Sequence, residues 1–155
     1  MNLDIKGTAP VVEPYEELLA EELRRLDLAG RTIVASFHDD VLARFRTVAS
    51  EIPTSGSTNE TVAFFFSHLE DPVVPPVVAF QVPTRYGDVD VVTESFLEAA
   101  HAAGIAVHVW TINDADEMAR LIDLGVDGLV SDRPSVLGSV LAERGCAWDG
   151  NLSGT

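Results

Sequence analysis

The chain has 155 residues, 46% of them hydrophobic, enough for the core of one domain, and its 25 acidic against 10 basic side chains give a formal net charge of -15, which disfavours nucleic acid and anionic membrane surfaces as partners. Its longest nearly uncharged stretch, residues 72–83, is interrupted by prolines and falls short of the roughly 20 residues that span a bilayer, and the start lacks the basic and apolar regions of a secretory signal, so no transmembrane segment and a cytoplasmic location are expected. The single Cys146 excludes an internal disulfide framework and a thiolate zinc site.

Asn2 to Gly7 alternates as a strand does, although a central strand normally has preceding structure to pair with it, so the chain reads as cut within a fold. From Pro14 to Leu28, Leu18, Leu19, Leu23 and Leu26 recur at helical spacing opposite charged residues, with Pro14 suited to a first turn and Gly30 to a C-cap. Arg31 to Ser36 is a strand by its β-branched content, and a helix is predicted over 39–49. The less regular 51–77 region accommodates a short strand at 51–54 and a helix at 59–69, whose three consecutive phenylalanines leave its facing open. Val77 to Val82, Ile105 to Trp110 and Val126 to Val130 are strands. Helices are predicted over 93–103, 114–124 and 134–144, with Gly104, Gly125 and Gly145 placed as left-handed stops. The strand and helix alternation at 20–30-residue spacing indicates parallel β/α units with right-handed crossovers, an α/β fold.

Neither a G-x-G-x-x-G nor a G-x-x-x-x-G-K-[ST] phosphate loop occurs, and no G-x-S-x-G elbow. Polar residues at strand ends remain. Asp4 and Lys6 are two apart, so on a strand they share a face and set a carboxylate beside an ammonium, suited to a metal and an anion or to a simple ion pair. His38 ends a strand and reads as a surface or cap residue. His68 and His101 fall on helical patterns as solvated side chains, and His108 within a strand reads as a hydrogen-bonded structural imidazole. No ligand spacing links the four histidines. Trp110 to Asp114 closes a strand and opens a helix, with Trp110 as a pocket wall and Asn113 as a cap, and Ser131 to Pro134 repeats the arrangement.

Together, Ala99 to Gly104, Val107 to Asp114 and Leu124 to Pro134 closely resemble the C-terminal portion of the glycerophosphodiester phosphodiesterase family, with its W-T-x-N strand end, its G-x-D-G and its T-D-x-P, where Ser131 replaces Thr. Ser36 and Phe37 resemble the family's S-F strand end, and Leu3 to Lys6 its E-x-K strand, with Asp4 in place of Glu. The resemblance implies a TIM-type β/α barrel that hydrolyses glycerophosphodiesters, as small-molecule substrates, to an alcohol and glycerol 3-phosphate with a divalent cation, Mg or Ca. It implies Asp4 as a metal ligand, Lys6 as a phosphate contact and Trp110 beside the glycerol moiety.

The family's H-R-G, E-x-D and H-D motifs, which carry its general acid and base and most of its metal ligands, do not occur in this sequence, so no catalytic residue is assigned. The expectation is an incomplete barrel of about six of eight parallel β/α units over residues 1–147, with 148–155 a flexible tail. The chain alone is expected to be inactive, or to be a non-catalytic phosphate- and glycerol-binding remnant, and prone to self-association through open barrel edges.

Overall fold

The structure is a computed structural model that describes residues 1–6 and 15–146. The expectations for Pro14 and for 148–155 concern residues outside these. The described elements are β1 (Asn2–Asp4), α1 (Tyr15–Arg25), β2 (Ile33–Ala35), α2 (Asp39–Val48), α3 (Thr58–Ser67), β3 (Ala79–Val82), β4 (Arg85–Tyr86), β5 (Val89–Asp90), α4 (Glu94–Ala102), β6 (Ala106–Val109), α5 (Ala115–Leu124), β7 (Gly128–Leu129) and α6 (Pro134–Glu143). Among the described residues, no helix is long and apolar enough to cross a membrane.

The main strands run parallel in chain order. β1 pairs with β2, and β3 with β6 and then β7. The extended segment 53–55 joins these two groups: Val34 N–H donates to the Pro53 carbonyl at 2.9 Å, and Gly56 N–H to the Ala79 carbonyl at 2.9 Å. The result is an open parallel arc whose outermost strands, β1 and β7, each have one strand partner among the described residues. The short β4–β5 hairpin is a separate antiparallel ribbon beyond the end of β3.

Strand alternation sends every second side chain outward, beneath the helices. On β1 and just after it, Leu3 and Ile5 join Val34, Leu42 and Phe45 in a core under α1 and α2. Around β3 and β6, Phe80, Val107 and Val109 pack with Phe64, Phe96, Met118 and Leu121 in a larger core. A half-buried ion pair ties α2 to α3: the Arg46 guanidinium makes a forked contact with Glu60 at 2.6 and 3.0 Å and also donates to the Thr54 hydroxyl at 2.8 Å.

Local chemistry explains the element ends. Gly104, Gly125 and Gly145 all have positive φ, as a helix stop requires. Gly30 does not serve α1. That helix stops at Arg25, and Asp27 takes the left-handed position (φ 56°), with Leu28 N–H donating to the Leu23 carbonyl at 2.8 Å. The buried stripe of α1 is also displaced from the predicted one, to Glu16, Ala20 and Leu23. Leu18 and Leu26 are exposed, and Glu16 is tolerated inside because Arg44 of α2 donates to it at 2.9 Å. Among the three phenylalanines of α3, Phe64 alone is fully buried.

Candidate functional site

Because Leu3 and Ile5 are committed to the outer core, Asn2, Asp4 and Lys6 face the concave side of the arc. There they line a cavity of about 730 Å³ at the carboxyl ends of the strands. The chain crossing from β2 into α2 adds Phe37, β3 adds Gln81, and the end of β6 adds Trp110.

The residues singled out from sequence therefore come together. The Lys6 ammonium contacts the Asp4 carboxylate directly and lies 5.7 Å from the centroid of the Phe37 ring. Phe37 in turn meets Trp110 edge to face, with centroids 5.7 Å apart and planes at 75°. A cation, an aromatic spacer and an indole thus line one wall in series. Ser36 fixes that wall: its hydroxyl donates to the Ile5 carbonyl at 2.8 Å and accepts from His38 N–H at 3.1 Å, locking the end of the first strand to the end of the second.

Behind Asp4, Asn2 and Gln81 exchange amide hydrogen bonds of 3.2 and 2.9 Å across the inside of the arc, spanning β1 to β3. Sequence reasoning missed this brace, since nothing local links residues 79 apart. Phe37 stood in the S-F strand end, and that was the available signal for it.

The Trp110 turn is secured from below. Asp114, not Asn113, caps α5 by accepting from Glu117 N–H at 3.0 Å. Asn113 instead reaches across to the next turn. Its side-chain oxygen accepts from the Ser131 hydroxyl at 3.1 Å and from Asp132 N–H at 2.9 Å, and its amide donates to the Asp132 carboxylate at 3.0 Å. The two sequence motifs thus form one clasp.

The histidines stand apart from this wall. Among the described residues that line the cavity there is no histidine. His38 is exposed at the start of α2 and its side chain makes no capping bond. His68, expected to be solvated, is half-buried against Phe64, Phe65 and Phe96, with its ring within 3.3 Å of the Ser95 hydroxyl. His101 is exposed but pairs with Asp127 at 2.8 Å. His108, expected to be hydrogen-bonded, instead lies against Gly128, and burial, opposed by the Asp127 charge, holds its pKa below the ordinary 6.5.

A divalent cation needs several hard oxygen ligands. Asp4 is the one carboxylate among the described residues lining the cavity, and it is engaged by Lys6. No group of three or more His, Cys, Asp or Glu suited to a metal ion exists among the described residues. The donors among the described residues therefore do not by themselves make a cation site. What the wall offers is one positive donor for an anion, next to aromatic faces for a short apolar or polyol group.

Comparison with known proteins agrees with this architecture. The sequence profile of the Glycerophosphoryl diester phosphodiesterase family matches residues 3–136. A probable glycerophosphodiester phosphodiesterase 2 of Mycobacterium tuberculosis is 31% identical over 157 residues, covering 97% of this chain and 57% of that protein. The crystal structure of a putative glycerophosphoryl diester phosphodiesterase from Silicibacter pomeroyi superposes with a TM-score of 0.70 at 22% identity, over 94% of this chain and 51% of that one. An Oleispira antarctica phosphodiesterase solved with the product sn-glycerol-3-phosphate gives a TM-score of 0.60 at 19% identity, over 92% and 56%. The fold is thus an incomplete TIM-type β/α barrel, and the chain spans about half the length of the relatives it matches.

Proposed function

The chain belongs to the glycerophosphoryl diester phosphodiesterase family, and from that premise we propose that it forms the phosphate- and glycerol-binding part of a barrel that hydrolyses glycerophosphodiesters to an alcohol and glycerol 3-phosphate, in lipid and glycerol phosphate metabolism. The observation that carries this reading is the convergence of Lys6, Phe37 and Trp110 on one cavity at the carboxyl ends of parallel strands, where β/α barrels place their chemistry. Lys6 holds the phosphoryl oxygens, and Trp110 lies against the glycerol carbons. Asp4 is the carboxylate this chain offers toward a divalent cation, Mg or Ca, and the remaining ligands belong to the E-x-D motif, which this sequence does not contain.

On this reading residues 1–147 are about six of the eight β/α units. The chain alone binds and does not cleave, because the described cavity wall carries no histidine and the H-R-G and H-D motifs that supply the family's general acid and base do not occur in this sequence. The test is incubation of the purified chain with glycerophosphocholine and added magnesium or calcium, together with calorimetric titration of sn-glycerol 3-phosphate. Binding without hydrolysis is expected, and hydrolysis would overturn the assignment of roles.

A non-catalytic binding form of the same barrel is the second reading, favoured by the lack of a histidine on the described cavity wall. An in-frame segment encoding H-R-G, E-x-D and H-D upstream of the Met1 codon supports the hydrolase, and its absence supports the binding form. The outer edges of β1 and β7, which have no strand partner among the described residues, favour self-association of the isolated chain. Size-exclusion chromatography showing a monomer would refute that.

A further inference from the structure

Away from the strand-end cavity, three polar side chains and one carbonyl link the end of α3 to the start of α4. His68 closes α3, where its Nδ1 contacts the Phe65 carbonyl and its Nε2 is 3.3 Å from the Ser95 hydroxyl in the first turn of α4. Ser95 is in turn 3.1 Å from the hydroxyl of Thr93, which caps α4 by accepting from Phe96 N–H at 3.2 Å. Neither His68 nor Ser95 lines the cavity that holds Lys6.

The direction of this chain of hydrogen bonds follows from its donors. A carbonyl only accepts, so Nδ1 carries the proton of the neutral imidazole and Nε2 presents a lone pair. Ser95 therefore gives its one proton to Nε2, and the Thr93 hydroxyl donates to Ser95 Oγ. Three phenylalanines hold the imidazole: its plane lies within 20° of the Phe64 ring, and the Phe65 and Phe96 centroids are 5.6 and 5.9 Å away. A serine hydroxyl on the acceptor nitrogen of an imidazole whose other nitrogen is fixed has the arrangement of an activated nucleophile. Both residues are half-buried and so remain within reach of solvent, and the start of a helix favours the negative charge that develops on the attacked group.

We infer that Ser95 is a nucleophile, with His68 as its general base, for the acyl group of a small neutral carboxylic ester. Ser95 Oγ bonds to the ester carbonyl carbon as its proton passes to His68 Nε2. The bond to the alkoxy oxygen then breaks, and the alcohol leaves with that proton. Water, deprotonated by His68, next attacks acyl-Ser95, which releases the carboxylic acid as the proton returns to Ser95 Oγ. Charge selects a neutral ester, because Glu70, Asp71 and Glu94 flank the pair in the sequence of a molecule of charge -15. The pair acts independently of the Lys6 site.

The test treats the full 155-residue chain with an alkyl fluorophosphonate, from whose phosphorus Ser95 Oγ displaces fluoride, and separately with p-nitrophenyl acetate. Peptide mass spectrometry locates the adducts. Both are expected at Ser95, with fluorophosphonate labelling at least about 100-fold faster there than at Ser67 or Ser139, whose hydroxyls donate to helix carbonyls. S95A is expected to lose both Ser95 adducts, and H68Q, checked for folding by circular dichroism, to slow the labelling of Ser95 by a similar factor. In the unsubstituted chain, a Ser95 that stays unlabelled or labels no faster than Ser139 overturns the inference whatever the variants do. Labelling of H68Q at the parent rate overturns it as well, as does acetylation confined to Lys6 or Cys146.

Discussion

Asn113 and Asp132 are joined twice over. The Asn113 amide donates to the Asp132 carboxylate at 3.0 Å, while its oxygen accepts the Asp132 backbone N–H at 2.9 Å, and together these pin the turn after β6 to the turn after β7. An amide suits this position because it offers a donor and an acceptor at once.

Asn113→Ala should therefore lower stability by about 1–2 kcal/mol, read from urea unfolding. Asn113→Asp should be worse at neutral pH, since it sets two carboxylates against each other, and should recover partly in acid. Equal stability of the two variants across pH would refute the clasp.

Acid should unfold the chain in two stages. Burial, opposed by Asp127, holds His108 below 6.5. Burial pushes Glu60 up, but Arg46 and the Ser57 N–H and hydroxyl outweigh it and hold the carboxyl below 4.5. Asp127 likewise stays below 3.8 despite burial, through the Val107 N–H and His101. All three bind a proton more readily when unfolded, so each contributes stability that is complete above its unfolded value and is lost as pH falls toward its folded one. The melting temperature should drop first below about pH 6.5 and again below about pH 4.5. His108→Gln should remove only the upper stage.

Gly128 gives His108 its room. A Cβ at that position would sit 2.8 Å from His108 Cδ2 and 3.2 Å from Cγ. Gly128→Ala should cost about 1–3 kcal/mol by overpacking. In a His108→Ala background the penalty should largely vanish, and a double-mutant cycle of thermal unfolding measures the coupling.

Binding of sn-glycerol 3-phosphate should weaken roughly tenfold in Lys6→Ala, the loss of about one charge-assisted contact, and severalfold in Trp110→Ala. Calorimetry reads both. Affinity unchanged in Lys6→Ala would remove the phosphate from this wall.

The order of elements was legible because it depends on local signals. Alternation on Asn2 to Lys6 put Asp4 and Lys6 on one face, while the family resemblance, not local spacing, is what associated Trp110 with them; the three line one cavity. Gly104, Gly125 and Gly145 marked helix stops because a left-handed turn favours glycine. Asp27 shows the limit, since a short polar side chain also tolerates that conformation and the burial of Leu28 decides where α1 stops. Ser57 and Glu60 form a full capping box, a pattern readable in the sequence that fixes the start of α3. The β4–β5 hairpin was not foreseen, although Gly87, whose positive φ closes its turn, was a signal for it. The Asn2–Gln81 brace and the burial of Glu16 against Arg44 were not legible, because each depends on partners that only the folded chain brings together.

The pairing of Lys6 with Asp4 makes the mouth of the cavity a local zwitterion on a molecule of charge -15. An approaching phosphodiester is drawn by one short-range contact and repelled at long range by everything around it. Mobile ions weaken the distant repulsion more than the contact. Moderate salt should therefore speed association instead of slowing it, and the cavity proposed to bind the anion should carry the opposite ionic-strength signature to one lined with basic residues.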